Sequence, residues 1–389
     1  MIRVALLLSL LAAPAFGGTF YALDANFVDG ISADGSVVLA RRTFAPKLKG
    51  PERGQAVLWT RQKAKEVVPP TLSDGFQGND LSADGSTVAG QFWHYQSGSF
   101  SDSGAAWSVD GFKFQGGTPL DAVSGDGTKV SRENILVDAS GETALPFRIT
   151  DISADGQTVV GFGSDLRPYR WNGASAPIGN PLAVDAKVSA DGSIVYVSPP
   201  SGTASRWTEQ TGAVAVPGFS FITGVSSNGL YAAGFGSPVN DEGETRVITP
   251  DGVINSGAWG DGWALLLATA VSDDGLTIAG YGRPPGGGRW QAWVYDRGAT
   301  WLPGDANRDG RVDLADFGTL KANFGSGRSW SYGDFDGSGR IDLADFGILK
   351  SQFGVAAPEP GTLNLAAAGL LIPMIAAARR RTLRRNATD

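Results

Sequence analysis

Asp151-Ile152-Ser153-Ala154-Asp155-Gly156-Gln157-Thr158-Val159-Val160, followed by Gly161, is the cleanest copy of a phrase that recurs down the chain. It consists of an apolar residue and a small polar one, then Asp or Asn before Gly, then a β-branched run. Six further copies centre on Gly35, Gly85, Gly127, Gly192, Gly229 and Gly275. Asp-Gly or Asn-Gly between short apolar runs supplies the positive φ angles of a tight hairpin, so each copy predicts a β-hairpin. Successive glycines lie 50, 42, 29, 36, 37 and 46 residues apart. The spacing averages 40, the length of one four-stranded propeller blade. The fold expected is therefore all-β, a seven-bladed β-propeller over residues 18–303.

A weaker signal follows each turn by 15 to 24 residues in most copies: Trp59, Trp107, Trp171, Trp207 and Trp293. Copies three and six are expected to use Phe147 and Val247 instead. One aromatic at a fixed place per repeat fits packing between blades. Apolar-proline steps at Val68-Pro69, Leu145-Pro146, Val216-Pro217 and Leu302-Pro303 suit outer edge strands, where a missing amide costs little. This grammar, a Ser-x-Asp-Gly turn and a later Trp, resembles the extracellular HAF repeats. That resemblance lends no catalytic residues.

Residues 1–17 combine Arg3, an apolar run from Val4 to Ala13 and a small-residue step at Ala15-Phe16-Gly17, the pattern of a secretory signal peptide. With 55 glycines, 21 prolines and only 18% charged residues, the composition suits an exported, loop-rich β protein. No cysteine is present, so disulfides are excluded and stability falls to core burial and bound ions. A net charge of -7 argues against a nucleic-acid partner.

Three interruptions of the repeat are candidate binding loops. They are the basic Arg41–Arg53 stretch, the aromatic Phe92–Phe100 stretch with Trp93, His94 and Tyr95, and the glycine-rich Arg283–Arg289 stretch. The aromatics of the second either offer a platform for a glycan or matrix component or pack on their own scaffold. His94 is the only histidine, which rules out multi-histidine metal sites, and no acidic pair stands out as a glycosidase couple. No catalytic residue is assigned. A carbohydrate-active enzyme, a glycoside hydrolase or lyase, is the alternative to a binding or structural protein.

The grammar changes after Pro303. Asp305, Asn307, Asp309, Arg311, Asp313 and Asp316 occupy positions 1, 3, 5, 7, 9 and 12 of a calcium loop, with Gly310 at the sharp turn. Twenty-nine residues on, Asp334, Asp336, Ser338, Arg340, Asp342 and Asp345 repeat the scheme. Position 7 ligates through its backbone carbonyl, so Arg311 and Arg340 fit, while Val312 and Ile341 are expected to face inward. The set predicts two calcium ions. Phe317, Leu320 and Phe324 recur as Phe346, Leu349 and Phe353, the spacing of one helical face after each loop. Gly318 and Gly347 inside those helices suggest a close helix-helix approach.

The loop-then-helix duplication over 304–354 resembles a type I dockerin. That resemblance implies a cohesin-like partner bound through Leu314, Ala315 and Lys321 or through Leu343, Ala344 and Lys350. Leu-Ala stands where cellulosomal members carry a polar pair. The tail, 355–389, holds Pro358-Glu359-Pro360, an apolar stretch from Leu363 to Ala378 and Arg379-Arg380-Arg381. Sixteen residues suffice for a short spanning helix with its basic end inside. The order resembles a PEP-CTERM sorting signal, which implies an exosortase, transient membrane insertion, and a destination at the cell envelope, cell surface or extracellular matrix.

Overall fold

The computed structural model describes residues 18–356 except 45–52, 62–63, 68–73, 97–98, 109–110, 180–181, 237–244, 251, 256–261, 298–301, 308–309, 326–328, 337 and 339. The expected signal peptide and the sorting tail, with Pro358, Glu359, Pro360, Arg379, Arg380 and Arg381, lie outside the described residues. Among those described, no helix is long and apolar enough to cross a membrane.

Seven antiparallel four-stranded sheets form a propeller, one per copy of the phrase. Blade 4 is the plainest: Arg148–Ile152, Val159–Phe162, Pro168–Trp171 and Ser175–Pro177 pair in chain order from the channel outward. Blade 1 runs likewise through Phe27–Ile31, Val38–Phe44, Arg53–Trp59 and Ala64–Glu66. Blade 7 is built differently. Its strands Ala264–Val271, Thr277–Arg283 and Gln291–Asp296 receive their outer partner from the N-terminal strand Thr19–Ala22. Thr19 pairs with Asp296 and Ala22 with Trp293, so the two ends of the ring are tied by a backbone ladder. Arg61 adds a side-chain clasp, donating to Asp296 Oδ2 at 2.7 Å and to Gly35 O at 3.2 Å.

The repeated phrase is a hydrogen-bonded knot centred on its serine. In all seven copies the Ser Oγ donates to the Asp or Asn Oδ1 at 2.6–2.8 Å. It also accepts from the backbone N–H five residues on, at 2.9–3.0 Å. Each serine is buried. Only the glycine takes positive φ, +66° to +72°, so the turn is a four-residue one rather than a two-residue Asp-Gly hairpin with two left-handed positions. A Cβ on Gly35 would stand 2.6 Å from Thr277, and one on Gly192 2.1 Å from Thr158. Each turn therefore nests against the residue two past the turn glycine of the preceding blade.

The residue after the serine of the phrase links blades through backbone hydrogen bonds. Ala33 N–H donates to Ala83 O, Ala154 to Ala190 O, Ala190 to Ser227 O and Asp273 to Ala33 O, at 2.6–3.0 Å. That chain of bonds surrounds one mouth of the channel.

The tryptophan position follows from strand register. The residue three past each turn glycine pairs with Trp59, Trp107, Val137, Trp171, Trp207, Ile248 and Tyr295. These side chains face the preceding blade: Trp107 packs on Val37, Leu39 and Ala56, and Trp207 on Val160 and Ile178. Trp293 lies two residues before Tyr295 on the same face and is fully buried. Two expectations are corrected. Phe147 sits in the connection between blades 3 and 4, stacked on Tyr169 at 5.6 Å, and Val247 is one residue out of register on the opposite face. Tryptophans 59, 171 and 207 are half-buried, because wedge-shaped gaps between blades open outward and only the inner part of a large ring is enclosed.

Candidate functional site

Beyond the ring, α1 (Leu314–Ala322) and α2 (Leu343–Gln352) each follow one acidic loop. Between them is a single 3₁₀ turn at Trp330–Tyr332. Position 12 of each loop does double duty. Asp316 Oδ1 accepts from the Ala306 and Asn307 N–H groups and its Oδ2 from Asp313 N–H; Asp345 does the same with Phe335, Asp336 and Asp342. Asp313 and Asp342 in turn cap α1 and α2 in reciprocal capping boxes. Each loop is thus shut by the N3 carboxylate that completes the capping box of its helix.

The two halves are related by exchange. Gly354 N–H donates to Val312 O and Gly325 N–H to Ile341 O, both at 2.8 Å, so each loop pairs with the segment following the other helix. Val312 and Ile341 are fully buried, as their positions predict, with Leu320, Leu349, Trp330 and Phe335. Phe317 and Phe346 meet at 5.9 Å. The helical stripe is shorter than its spacing suggests: α1 and α2 end before Phe324 and Phe353, both of which are half exposed. Gly318 and Gly347 make no close approach, since a Cβ at either would meet open space. The close approach belongs to Gly304 and Gly333, at φ +95° and +111°, whose added Cβ would lie 2.9 Å from Leu349 Cα and 3.0 Å from Leu320 Cα.

Asp334, Asp336 and Asp345 each bring one carboxylate oxygen within 4.8 Å of the others, a donor set suited to a hard divalent cation. Burial pushes Asp345 above the usual carboxylate range, against backbone donors, and the neighbouring Asp336 adds to the rise. A bound cation reverses that balance by giving the carboxylates a partner. Asp334 Oδ1 and Asp336 Oδ1 both accept from Ser338 N–H at 2.9 Å, and Ser338 Oγ donates to the Arg340 carbonyl that sequence assigns to position 7. In the first loop Asp305 is buried and its Oδ2 accepts from Gly310 N–H at 2.8 Å; Asp309 lies outside the described residues.

Leu314 and Leu343 stand at matching places on the two halves, 73% and 75% exposed. Ala315, Ala344, Lys321 and Lys350 beside them are exposed as well. The module meets the propeller elsewhere. Trp330 N–H donates to Ser36 Oγ at 3.1 Å and Ser331 N–H to Asp34 Oδ2 at 2.9 Å, both acceptors belonging to the first repeated turn. Asp34 is only 7% exposed. Burial opposes its ionisation, but the donors of Ser331, Ser32 and Ser36 outweigh it and hold the carboxyl below its ordinary value. Ser331, Tyr332 and Asn323 overhang a cleft lined by the turns of blades 1, 2, 3, 4 and 7.

The channel holds charges that the repeat pattern did not single out. Asp80 Oδ2 accepts from Val123 N–H in blade 3 and Asp151 Oδ2 from Val188 N–H in blade 5, each at 2.8 Å. Burial, aided by Asp151, pushes Asp80 up to about 7; burial pushes Asp29 to about 7 against the pull of Arg41. Lys187 is held above its ordinary value by Asp185 first, against burial, and then by Asp151 and Asp80. Asp29 sits at the bulge of its inner strand, and Asp80 and Asp151 one residue after the bulges of theirs. That position distinguishes them from turn aspartates, and it is the signal by which sequence could have found them. Among the aromatic-loop residues, Phe92 and Trp93 are buried, with Trp93 Nε1 donating to Gly54 O at 3.1 Å, so they join blades 1 and 2 rather than offer a platform. His94 lies 3.7 Å from Asp74 and is half exposed.

The geometry defines a seven-bladed propeller bearing a duplicated loop-helix cation module. The family model of the dockerin type I domain matches residues 303–354, so the chain carries a dockerin, the calcium-dependent docking module of extracellular proteins. No curated protein matches the chain in sequence. Among solved structures, a chain of a crystal structure of the mitotic checkpoint complex is similar at 12% identity and a TM-score of 0.44, over 71% of this chain and 90% of that one. Nothing about function passes between the two at that level.

Proposed function

We propose that this is an exported binding or architectural protein of the cell envelope or extracellular matrix. In this reading a signal peptide (1–17) exports it, a HAF-type propeller presents binding surfaces, and the dockerin holds two calcium ions through the twelve loop positions assigned from sequence. A PEP-CTERM tail then passes through the membrane and is processed by an exosortase. The observation that carries the reading is the orientation of the module. Its hydrogen bonds to the propeller come from Trp330 and Ser331, and Leu314, Leu343 and both lysines are exposed to a cohesin-like partner.

The test is a pull-down from native envelope with the full chain, in calcium and in chelator. A partner retained only in calcium, and lost when Leu314 and Leu343 are both replaced by Lys, supports docking. Retention that ignores calcium and both leucines contradicts it. A glycan or matrix component bound by the propeller would be retained in chelator.

A second reading, a carbohydrate-active enzyme, is favoured by the coupled carboxylates of Asp80 and Asp151 in the channel, one of them raised to about 7 and so suited to proton transfer. Release of reducing ends from envelope polysaccharide, abolished in Asp80→Asn, would support it. Equal release by the variant would sink it.

A further inference from the structure

The three interruptions noted in the sequence are one structural feature. Each falls where the second strand of a blade gives way to the third, and the blades concerned, 7, 1 and 2, are consecutive around the ring. Because strands alternate in direction, the second strand of each of these blades ends, and the third begins, at the face opposite the Ser-x-Asp-Gly turns, hence opposite the dockerin. The described hydrogen bonds from the module to the ring go to the first Ser-x-Asp-Gly turn, on the other face.

Between blades 7 and 1 the face of the interruptions carries a pocket of about 280 Å³, lined among others by Asp24, Asn26, Arg42, Pro284, Arg289 and Trp290. Its base is fastened: Asn26 Nδ2 donates to Trp290 O at 2.9 Å, and Gln291 Nε2 to Leu23 O at 3.0 Å. Behind it runs a ladder of rings with a guanidinium at each end. Arg41 lies 5.2 Å over Phe27, Phe27 meets Tyr281 at 5.0 Å, Tyr281 meets Trp290 at 5.5 Å, and Arg283 lies 5.2 Å over Trp290. Such stacking fixes the Trp290 ring at the pocket wall.

The charge here is the reverse of the chain as a whole. Four arginines, 41, 42, 283 and 289, gather on a molecule of net charge -7. Arg41 is committed to Asp29 in the channel at 3.0 Å. Arg42 pairs with Asp24 at 2.7 Å, but the Asp24 side chain is 94% exposed, and an exposed pair of this kind contributes little. Arg42 Nε also donates to the Asp24 carbonyl at 3.1 Å, which fixes the guanidinium, so a carboxylate brought by a ligand can replace the Asp24 side chain on Arg42 Nη2 at small cost, in a pocket that Arg289 also lines. Next to that guanidinium is a fixed indole and a pyrrolidine ring, surfaces on which the C–H face of a sugar packs. One class of ligand carries both features on a single ring.

We propose that the pocket between blades 7 and 1 binds a uronic acid residue of an acidic polysaccharide. The inference rests on the binding reading of the propeller and names its ligand class. Isothermal titration of the full chain with short hexuronate oligosaccharides tests it, beside the matching neutral oligosaccharide and polyglutamate. The expected result is hexuronate binding that Arg42→Ala with Arg289→Ala weakens at least tenfold, that Asp24→Asn strengthens, and that chelator leaves unchanged because calcium is bound on the far face. Arg42→Lys with Arg289→Lys, which keeps charge and removes the guanidinium, should recover only part of the loss. Absence of hexuronate binding, equal binding of the neutral sugar or polyglutamate, or a folded double alanine variant that binds like the parent would each overturn the proposal. If hexuronates fail while the propeller still retains an envelope component in chelator, this pocket falls and the binding reading stands.

Discussion

The propeller and the dockerin solve the same problem, a shortage of hydrophobic core per residue, by opposite means. In the propeller, backbone hydrogen bonds between successive turns tie neighbouring blades, a buried serine satisfies the polar groups of each turn, and the N-terminal strand completes blade 7. In the dockerin about fifty residues converge on carboxylates that repel one another until a cation is supplied. A region that spreads its polar groups one per repeat can satisfy each with a local N–H, whereas one that gathers them at two points must import a charge. The first should be indifferent to calcium, and the second should depend on it.

The largest effect that would break this contrast is on the dockerin. Replacing Asp305 and Asp334 together by Ala removes the first ligand of both loops and should leave 304–354 unfolded in calcium, a loss of several kcal/mol, since metal binding in small modules is folding free energy. Proteolysis followed by mass spectrometry should then trim the chain to the propeller. A protected dockerin segment in the double variant would show that the loops fold unaided.

The propeller's most sensitive point should be its closure. Gly35→Ala demands a left-handed alanine at φ +72° and drives a Cβ into Thr277, so it should cost about 2–4 kcal/mol, strain and overpacking combined. Gly173→Ala, at φ +96° but with open space at its Cβ, should cost only the conformational share, about 1 kcal/mol. Chemical denaturation of the two variants separates the contributions, and equal losses would remove the claim that the turns nest between blades.

A smaller effect concerns pH. Asp29 and Asp80 bind protons in the folded state up to about pH 7 but release them near 4 when unfolded, so propeller stability should fall as pH rises from 4 to 7. Turn aspartates such as Asp191 are shifted the other way, by hydrogen bonds from Ser189 and Ser193 against burial. Their share is present above pH 4 and is lost as pH falls further. The propeller melting temperature should therefore peak on the acidic side of neutrality, and Asp29→Asn with Asp80→Asn should flatten the slope between 4 and 7. A slope unchanged in that variant would place the titration elsewhere. The smallest effect is a gain: Gly318→Ala, exposed on α1, should stabilise the calcium-loaded dockerin by about 1 kcal/mol.

Much of this was legible because periodicity fixes what repeats. Six Asp-Gly phrases and one Asn-Gly phrase mark seven blades, and oxygen side chains at calcium-loop spacing mark the second region together with its inward Val312 and Ile341. What escaped was set by register across strands and by chain closure. The repeat spacing cannot tell that Thr19–Ala22 completes blade 7, because that strand carries no copy of the phrase. Phe147 stands at a tryptophan's distance from its turn without taking a tryptophan's place, because distance along the chain does not count bulges and connections. The glycines that permit close packing in the dockerin, Gly304 and Gly333, precede the loops, where their need for positive φ is hidden among ligands. Asp80 and Asp151 read as ordinary polar residues of a strand until the ring turns them inward toward Lys187.

The account's central claim, that calcium organises one region and is irrelevant to the other, is tested most directly by differential scanning calorimetry of the full chain in calcium and in excess chelator. Calcium should give a dockerin transition whose midpoint rises with free calcium, beside a propeller transition that does not move. In chelator the dockerin transition should vanish and the propeller transition remain. A dockerin transition that persists in chelator with unchanged enthalpy, or a propeller transition that shifts with calcium as far as the dockerin does, would contradict it.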